Sequence, residues 1–474
     1  MTAAKLVATF RDVAAMDHLV RRIDSSRPLL ALALAVAILP GTAACAPGSS
    51  GAVESRPNIL LITVDTLRAD HMSSDGYARP TSPFVDSLAK EGVRFERAYS
   101  SSSWTTPSVV SMLTSTYQNR HGMGARLRGV PKMWSRIPEE LPSLAESLQQ
   151  HGYRTFGLVA NTNLSAERGF DRGFDRFECL GMADLDVVDR TITPWLGEIG
   201  GRESPWFLWL HMLDPHGPYR ARKPWIESFE TEYSRYGWLD NMASETFAKR
   251  APKMQPRQLQ AIRAVYDSEI RAADEFLRRL FDRLEGARDA FVLFTSDHGE
   301  EFLEHGGTLH GRALFEESIR IPFIVRLPDR RLAGTVVQQA VSLVDVLPTI
   351  LGAAGVEPDE PTAGINLIGP QGISVPRERV IVAELLRGVP ERATTDGRWK
   401  LISRAERTEL YDLREDPGEK INLAQKHPER VEKFKTVLAA FERQNRPTSA
   451  TPEEIEITPE ELEALRALGY VGAD

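Results

Sequence analysis

Two long runs of apolar and β-branched residues lie along the chain, from Ile59 to Val64 and from Ala290 to Thr295. Neither run alternates with polar residues, which is typical of strands that are buried on both faces of a parallel sheet. Further strand-like runs cover 155–159 and 206–210, and helical patterns cover 83–91, 107–113, 144–151 and 258–284. This alternation predicts an α/β fold with a mostly parallel sheet sandwiched by helices.

The pattern changes after about residue 370. Short runs at 380–383, 399–402 and 409–411 look like antiparallel strands, and a polar helix follows near 431–443. We therefore predict a main domain over 56–370 and a smaller C-terminal α+β subdomain over 371–474. The length of 474 residues is sufficient for both.

The N-terminus has the pattern of an export signal. Three arginines precede an apolar run over 29–39, and small residues at 42–44 then lead to Cys45. The run is short of the roughly 20 residues that a membrane-spanning helix needs. We predict a signal peptide over 1–45 and a flexible tether over 46–55, which is rich in glycine and serine.

The segment that ends at Cys45 resembles a bacterial lipoprotein cleavage box, although Thr42 stands where leucine is usual. The resemblance implies lipidation of Cys45 and a protein of the cell envelope that is anchored to the membrane. Ordinary secretion, with cleavage nearby, is the alternative.

Charge and cysteine content exclude several classes of protein. The net charge is −8, and no basic tract is interleaved with aromatic residues, so nucleic acid is not an expected partner. The only cysteines, Cys45 and Cys179, cannot form a disulfide scaffold or a cysteine-rich metal site.

Potential metal ligands follow both buried runs. Asp65 comes directly after the first, and Asp297 and His298 come after the second. Ligands of parallel sheets gather at the carboxyl ends of the strands. Together with a hydroxyl group, these oxygen and nitrogen donors could hold one divalent cation. A helix N-cap is the alternative role for Asp65.

A hydroxyl-rich segment, Ser-Trp-Thr-Thr-Pro-Ser at 103–108, precedes a predicted helix. The N-terminus of a helix favours anions and anionic transition states, so Thr105 could act there as a metal-activated nucleophile. The alternative is capping, with Thr106 as the cap and Pro107 as the first helical residue.

Histidines and other polar groups gather near predicted strand ends. Asp214 and His216 lie in one segment after a strand, and His310 and Arg312 follow the Asp-His-Gly motif at 297–299. Such groups beside a metal suit a tetrahedral oxyanion substrate. The histidines of these segments are His211, His216, His298, His305 and His310.

Taken in order, these segments resemble the sulfatase family of the alkaline phosphatase superfamily. The match covers nearly all of the chain after residue 55. The matching stretches are 56–70, 105–108, 113–114, 121–122, 214–219, 295–301, 310–312, 315–316, 320–322, 343–349, 409–413, 416–417 and 422–423.

The resemblance implies a metal-dependent ester hydrolase whose catalytic domain is the main domain, 56–370. The implied metal ligands are Asp65, Asp297, His298 and the nucleophile Thr105. The implied catalytic groups are Thr105, His216 and His310, and the implied substrate-binding groups are His121, Asp214 and Arg312.

The chain departs from the family pattern at the nucleophile. Sulfatases derive formylglycine from Cys or Ser in a Cys/Ser-x-Pro-x-Arg segment, where this chain has Thr105 and Val109. Oxidation of a threonine would give a ketone, so formylglycine is not expected. Thr66 stands where many sulfatases have a second acidic ligand. Other members of the superfamily, including phosphodiesterases, use a threonine nucleophile.

We therefore expect a hydrolase or transferase that acts on phosphate or sulfate esters of small molecules, glycans or lipid headgroups through Thr105. One alternative is a formylglycine-independent sulfuric ester hydrolase, and another is a non-catalytic binder of anionic glycans or lipid headgroups. We expect one divalent metal ion: Ca, Mn, Mg or Zn. A two-metal site that also uses Asp214, His216 and His310 is the alternative.

Overall fold

The computed structural model describes residues 56–124, 133–201, 204–447, 453–459 and 462–463. The predicted signal peptide, the lipidation of Cys45 and the tether lie outside the described residues. Within the described part of the chain, no helix is long and apolar enough to cross a membrane.

An eight-stranded sheet forms the centre of the main domain. Its strands are β1 (Ile59–Val64), β2 (Val93–Phe95), β3 (Arg154–Val159), β4 (Arg176–Cys179), β5 (Trp206–Met212), β6 (Phe291–Ser296), β7 (Phe323–Arg326) and β8 (Thr335–Val337). Their spatial order across the sheet is β8-β2-β7-β6-β1-β5-β3-β4. β1 pairs in parallel with both β5 and β6, whereas β7 is antiparallel to β6 and β2. The predicted mostly parallel sheet is confirmed.

Helices pack against this sheet and, near the C-terminus, against the strands of a second sheet. They are α1 (Pro83–Glu91), α2 (Thr105–Thr114), α3 (Gln118–His121), α4 (Leu144–Gln150), α5 (Leu185–Ile192), α6 (Leu196–Gly200), α7 (Trp225–Phe229), α8 (Ser244–Arg250), α9 (Pro256–Arg283), α10 (Glu316–Ile319), α11 (Val346–Ala354) and α12 (Pro428–Gln444). Leu60 and Ile62 of β1 belong to one hydrophobic core, and Ile59 and Leu61 belong to another. Because alternate residues of a strand point to opposite faces, β1 is buried on both faces of the sheet.

The C-terminal region forms a separate antiparallel sheet of four strands: β9 (Ile381–Leu385), β10 (Glu391–Thr395), β11 (Trp399–Arg404) and β12 (Arg407–Asp412). The sequence pattern predicted three of these strands and missed β10. That strand reads Glu-Arg-Ala-Thr-Thr and has no apolar run, but it pairs on both sides. The smaller α+β region is therefore present, whereas its boundary at residue 370 stays a prediction.

Short strands complete the described structure: Ala98–Tyr99, Met133–Ser135, Glu301–Phe302, Thr308–Leu309, Arg320–Ile321, Val341–Ser342, Ile368–Gly369, Gly372–Ile373 and Glu454–Glu456. Two boundaries near the predicted site differ from the sequence pattern. α2 begins at Thr105 rather than at Pro107, and β5 continues through His211 to Met212.

The register of the sheet brings three strand ends to one level. Val64 of β1 is opposite Met212 of β5 on one side and Ser296 of β6 on the other. The residues that follow these strands therefore lie together at the carboxyl edge of the sheet, which is where parallel sheets bind ligands.

Candidate active site

The carboxyl edge brings together the three residues predicted as metal ligands. Nε2 of His298 lies 3.7 Å from Oδ1 of Asp65 and 3.4 Å from Oδ2 of Asp297. One potential ligand atom from each residue lies within 4.8 Å of the others, and all three side chains are buried. This spacing suits donors that share one cation, since each metal–ligand bond is about 2.0 to 2.6 Å long.

The charges of this cluster also fit a cation. Burial and the neighbouring charge of Asp297 raise the pKa of Asp65 well above its usual range, and burial raises the pKa of Asp297. Oδ1 of Asp65 accepts no hydrogen bond from the residues that the structure describes. Two adjacent buried carboxylates are unfavourable unless a positive charge compensates them. A divalent cation would supply that charge.

Hydrogen bonds fix the orientation of each ligand. Nδ2 of Asn161 donates to Oδ2 of Asp65 at 2.6 Å, which leaves Oδ1 toward His298. The backbone amide of His298 donates to Oδ1 of Asp297 at 2.8 Å. Nδ1 of His298 lies 2.9 Å from the carbonyl oxygen of Gly299, so Nδ1 donates and Nε2 faces the carboxylates. Such outer contacts orient the ligands of metal sites.

Thr105 lies beside this cluster as the first residue of α2. Its Oγ1 is 3.3 Å from Nε2 of His298, and the hydroxyl lowers the pKa of Asp297 by hydrogen bonding. The N-cap of the helix is Trp104, which provides no side-chain cap bond. Oγ1 of Thr106 accepts a hydrogen bond from Arg168 at 3.1 Å. The alternative in which Thr106 caps a helix that starts at Pro107 is therefore wrong.

Two further histidines adjoin the cluster. The ring of His310 is 4.5 Å from that of His298, and the ring of His216 is 5.0 Å from that of His310. Nδ1 of His310 lies 3.1 Å from Oε1 of Glu300. Burial lowers the pKa of His216 to about 3 and lowers the pKa of His310 well below its usual range. Both rings are therefore neutral at pH 7 in the free protein.

The predicted substrate-binding residues lie at different depths. His121 is fully buried against α2, where Nε2 is 3.3 Å from Oγ of Ser111 and Nδ1 accepts from the Met123 amide at 3.1 Å. Arg312 is exposed, and its charge lowers the pKa of His310. The substrate-binding roles of both residues stay predictions.

Asp214 lies in the loop after β5 and forms an ion pair with Arg222. Its Oδ2 also accepts a hydrogen bond from the Leu185 amide at 3.1 Å. His305, from the same sequence cluster as His310, contacts Glu317 instead, with Nδ1 2.6 Å from Oε1. The structure thus brings three of the five clustered histidines, His216, His298 and His310, into one row of adjacent rings.

Several residues of the site were not identified from sequence. Asn161 follows β3 at the same sheet edge, so a search of every strand end for polar residues could have found it. Glu300 lies inside the matching stretch 295–301, but the sequence pattern did not indicate a role for it. Arg387 stacks over the ring of Trp104 at 5.5 Å and its charge lowers the pKa of His310. It comes from the C-terminal region, and no local pattern marks it.

Comparisons with known proteins identify the family of the chain. A family model described as Sulfatase matches residues 57–356. The chain is 26% identical over 426 residues to the uncharacterized sulfatase YidJ of Escherichia coli (strain K12), covering 78% of this chain and 83% of that protein. It is also 26% identical over 438 residues to the choline-sulfatase of Rhizobium meliloti (strain 1021), again with coverages of 78% and 83%.

Solved structures show the same fold. The phosphonate monoester hydrolase of Agrobacterium radiobacter aligns with a TM-score of 0.65 at 21% identity, covering 85% of this chain and all of that one. A 2-O GAG sulfatase aligns with a TM-score of 0.66 at 20% identity, covering 82% and 93%. Since the family model spans well over half of the chain, the protein belongs to the sulfatase family of the alkaline phosphatase superfamily and is an ester hydrolase.

Proposed function

We propose that the protein is a metal-dependent hydrolase or transferase of phosphate or sulfate esters in which Thr105 is the nucleophile. One observation carries the proposal: Oγ1 of Thr105 lies 3.3 Å from Nε2 of His298, at the start of a buried helix and beside two buried carboxylates. Metal coordination can activate a hydroxyl group as a nucleophile, and the N-terminus of a helix favours the anionic form.

Asp65, Asp297 and His298 would hold the cation, with Thr105 as a further ligand. A divalent cation supplies Lewis acidity, which lowers the pKa of a bound hydroxyl group. Oγ of Thr105 then releases its proton to solvent and attacks the phosphorus or sulfur atom in line, and the bond from that atom to the leaving oxygen breaks. Water or a second alcohol later attacks the same atom, the bond from that atom to Oγ breaks, and Oγ takes up the proton that the attacking group loses.

His310 or His216 would protonate the leaving oxygen. Burial keeps both rings neutral in the free protein, because it lowers their pKa. The negative charge of a bound ester raises the pKa of adjacent imidazoles, which favours protonation when substrate is present. Glu300 helps to orient His310, since its Oε1 lies 3.1 Å from Nδ1 of that ring.

Substitution of the nucleophile tests the proposal. Thr105→Ala should lower kcat by at least about a thousandfold, because it removes the hydroxyl that would form the covalent ester. Thr106→Ala is the matched control, since that hydroxyl contacts Arg168 and should affect turnover by less than about tenfold. Turnover would be measured on aryl sulfates, phosphate monoesters and phosphodiesters with Ca, Mn, Mg and Zn. Retained activity in Thr105→Ala would rule out this nucleophile.

The same panel separates the alternatives. Phosphodiester turnover, with a phosphoryl adduct mapped to Thr105 by mass spectrometry, supports phosphoryl transfer. Sulfate release without phosphodiester turnover indicates a formylglycine-independent sulfuric ester hydrolase. Absence of both turnover and stoichiometric metal indicates a non-catalytic binder of anionic glycans or lipid headgroups. Retention of Asp65, Asp297 and His298 in one buried cluster favours catalysis over binding alone.

We also propose that the protein is exported and lipid-anchored through Cys45, so that its substrates are small-molecule, glycan or lipid-headgroup esters of the cell envelope or surroundings. The motif before Cys45 supports this location. In cell fractionation, the protein should be found in membranes, and Cys45→Ser should release it or leave it unprocessed. A wild-type protein that is soluble after export would indicate ordinary secretion instead.

A further inference from the structure

A small cavity lies beside His216, where the loop that follows β5 meets helix α9. Its volume is about 30 Å³, which is enough for one water-sized group. The polar side chains that line it are Asp184, Asp214, His216, Arg220 and Glu269. Because His216 lines this cavity and also belongs to the row of histidines next to Thr105, the cavity adjoins the candidate active site.

Two of the three carboxylates at the cavity already have cationic partners. Asp214 forms an ion pair with Arg222 and accepts the Leu185 amide. Oδ2 of Asp184 lies 2.8 Å from Nη1 of Arg220. In each pair the positive charge compensates the negative one, so the net charge of the cavity depends on the remaining acid.

Glu269 is that remaining acid. It lies on α9 with only 1% of its surface exposed, and its Oε2 accepts no hydrogen bond from any residue in the described part of the chain. A buried carboxyl oxygen without a partner is unfavourable, and the cavity is the space that a partner could fill. Burial and the charge of Asp214 raise the pKa of Glu269, and a hydrogen bond from the Arg220 backbone together with the charges of Arg222 and Arg220 offsets only part of that rise.

We propose that this cavity is a leaving-group subsite in which Glu269 accepts one hydrogen bond from the alcohol portion of the ester. The donor is a hydroxyl or a protonated amine, since the cavity holds a single small group and its unpaired member is an acid. This inference rests on the proposed function, which places His216 next to the leaving oxygen. The expected substrates are therefore esters whose alcohol portion carries a second polar group.

Three phenols of similar shape test the subsite by calorimetry: 4-(aminomethyl)phenol, 4-(hydroxymethyl)phenol and 4-methylphenol. The wild-type protein should bind the first two about tenfold more tightly than the third, because only they offer a donor to Glu269. Glu269→Gln should reduce the preference for the amine, and Glu269→Met should remove both preferences. Glu275→Gln is the matched control, since that partly exposed residue of α9 pairs with Arg278.

The sulfate monoesters and phosphodiesters of the same phenols separate this inference from the proposed function. If the protein binds the phenols selectively but turns over none of the esters, the subsite is supported and the hydrolase mechanism is contradicted. Turnover of all three esters with equal kcat/KM, together with equal phenol affinities, would overturn the subsite alone. Stronger binding of the amine than of the hydroxymethyl compound identifies an ammonium group as the natural donor, and the reverse order identifies a hydroxyl group. The wild-type comparison remains decisive if a Glu269 variant fails to fold.

Discussion

The side chain at position 105 determines which covalent chemistry the site can support. Threonine provides a secondary alcohol, which can form an ester but cannot give the aldehyde on which formylglycine chemistry depends. Thr66, whose amide donates to Oδ1 of Asp297, has a φ of 56° although it is β-branched, and it is fully buried. That conformation is strained for such a residue, and strain of this kind gathers at functional sites.

At the same scale, Asp65→Asn should separate metal binding from folding. With chelator present, the variant should be more stable than the wild type by about 1 kcal/mol, because one of two adjacent buried carboxylates is removed. With metal added, the wild type should gain stability and the variant should not. Thermal unfolding and metal analysis measure both effects. Asp186→Asn, an exposed residue of α5, is the control, and stoichiometric metal in Asp65→Asn would contradict the ligand assignment.

At the scale of elements, one helix is capped by another. The Phe84 and Val85 amides at the start of α1 donate to the two carboxyl oxygens of Asp274 on α9, at 3.0 and 2.8 Å. Ser82, the N-cap residue, provides no side-chain cap bond to its own helix. A sequence rule would choose Ser82 as the cap, because such rules consider only neighbours along the chain.

This cap predicts a pH dependence of stability. Burial raises the pKa of Asp274 to about 7, above its value in the unfolded chain. The folded state therefore favours the protonated acid, and this contribution to stability is lost as the pH rises from about 4 to about 7. Asp274→Asn cannot ionise. Relative to the wild type, its free energy of unfolding should improve by roughly 2 kcal/mol between pH 5 and pH 8.

Denaturant unfolding at the two pH values measures this change. Asp282→Asn is the control, since Asp282 is an exposed residue near the end of the same helix. An equal pH dependence in the wild type and Asp274→Asn would show that Asp274 ionises in the folded protein as readily as in the unfolded chain.

At the scale of the whole molecule, the C-terminal sheet is joined to the main domain by a buried ionic cluster. Nζ of Lys400, in β11, lies 3.0 Å from carboxylate oxygens of both Glu316 and Glu419, and it is fully buried. The sheet also reaches the active-site segment, where the Glu384 amide donates to the carbonyl oxygen of Ser101 at 2.8 Å. The C-terminal region is therefore part of the frame that holds Thr105.

Lys400→Met should destabilise the protein by about 3 to 5 kcal/mol, because two buried carboxylates lose their cation. Addition of Glu419→Gln should recover part of that loss, since it removes one uncompensated charge. Urea unfolding gives both values. A single variant as stable as the wild type would show that water or another cation compensates these acids.

The sequence by itself determined the frame of the catalytic site. The runs at β1 and β6 predicted strands that are buried on both faces, and Asp65, Asp297 and His298 followed from the rule that ligands gather at strand ends. The strands are confirmed and the three residues lie in one buried cluster, because a local pattern determines both; their role as metal ligands stays a prediction. The start of α2 was placed two residues late, since Pro107 is a strong local signal for a first helical turn.

Only the tertiary structure decided which distant side chains complete the site. Asn161 donates a hydrogen bond to Asp65, from which it is separated by 96 positions in the chain, and Arg168 donates to the hydroxyl of Thr106, which is 62 positions away. Arg387 and Glu269 reach the site from the C-terminal region and from α9. Their positions depend on how layers of the fold pack together, and packing leaves no periodic signal in the sequence. Local physics therefore determined the strands and the three residues that follow them, and long-range packing determined what surrounds them.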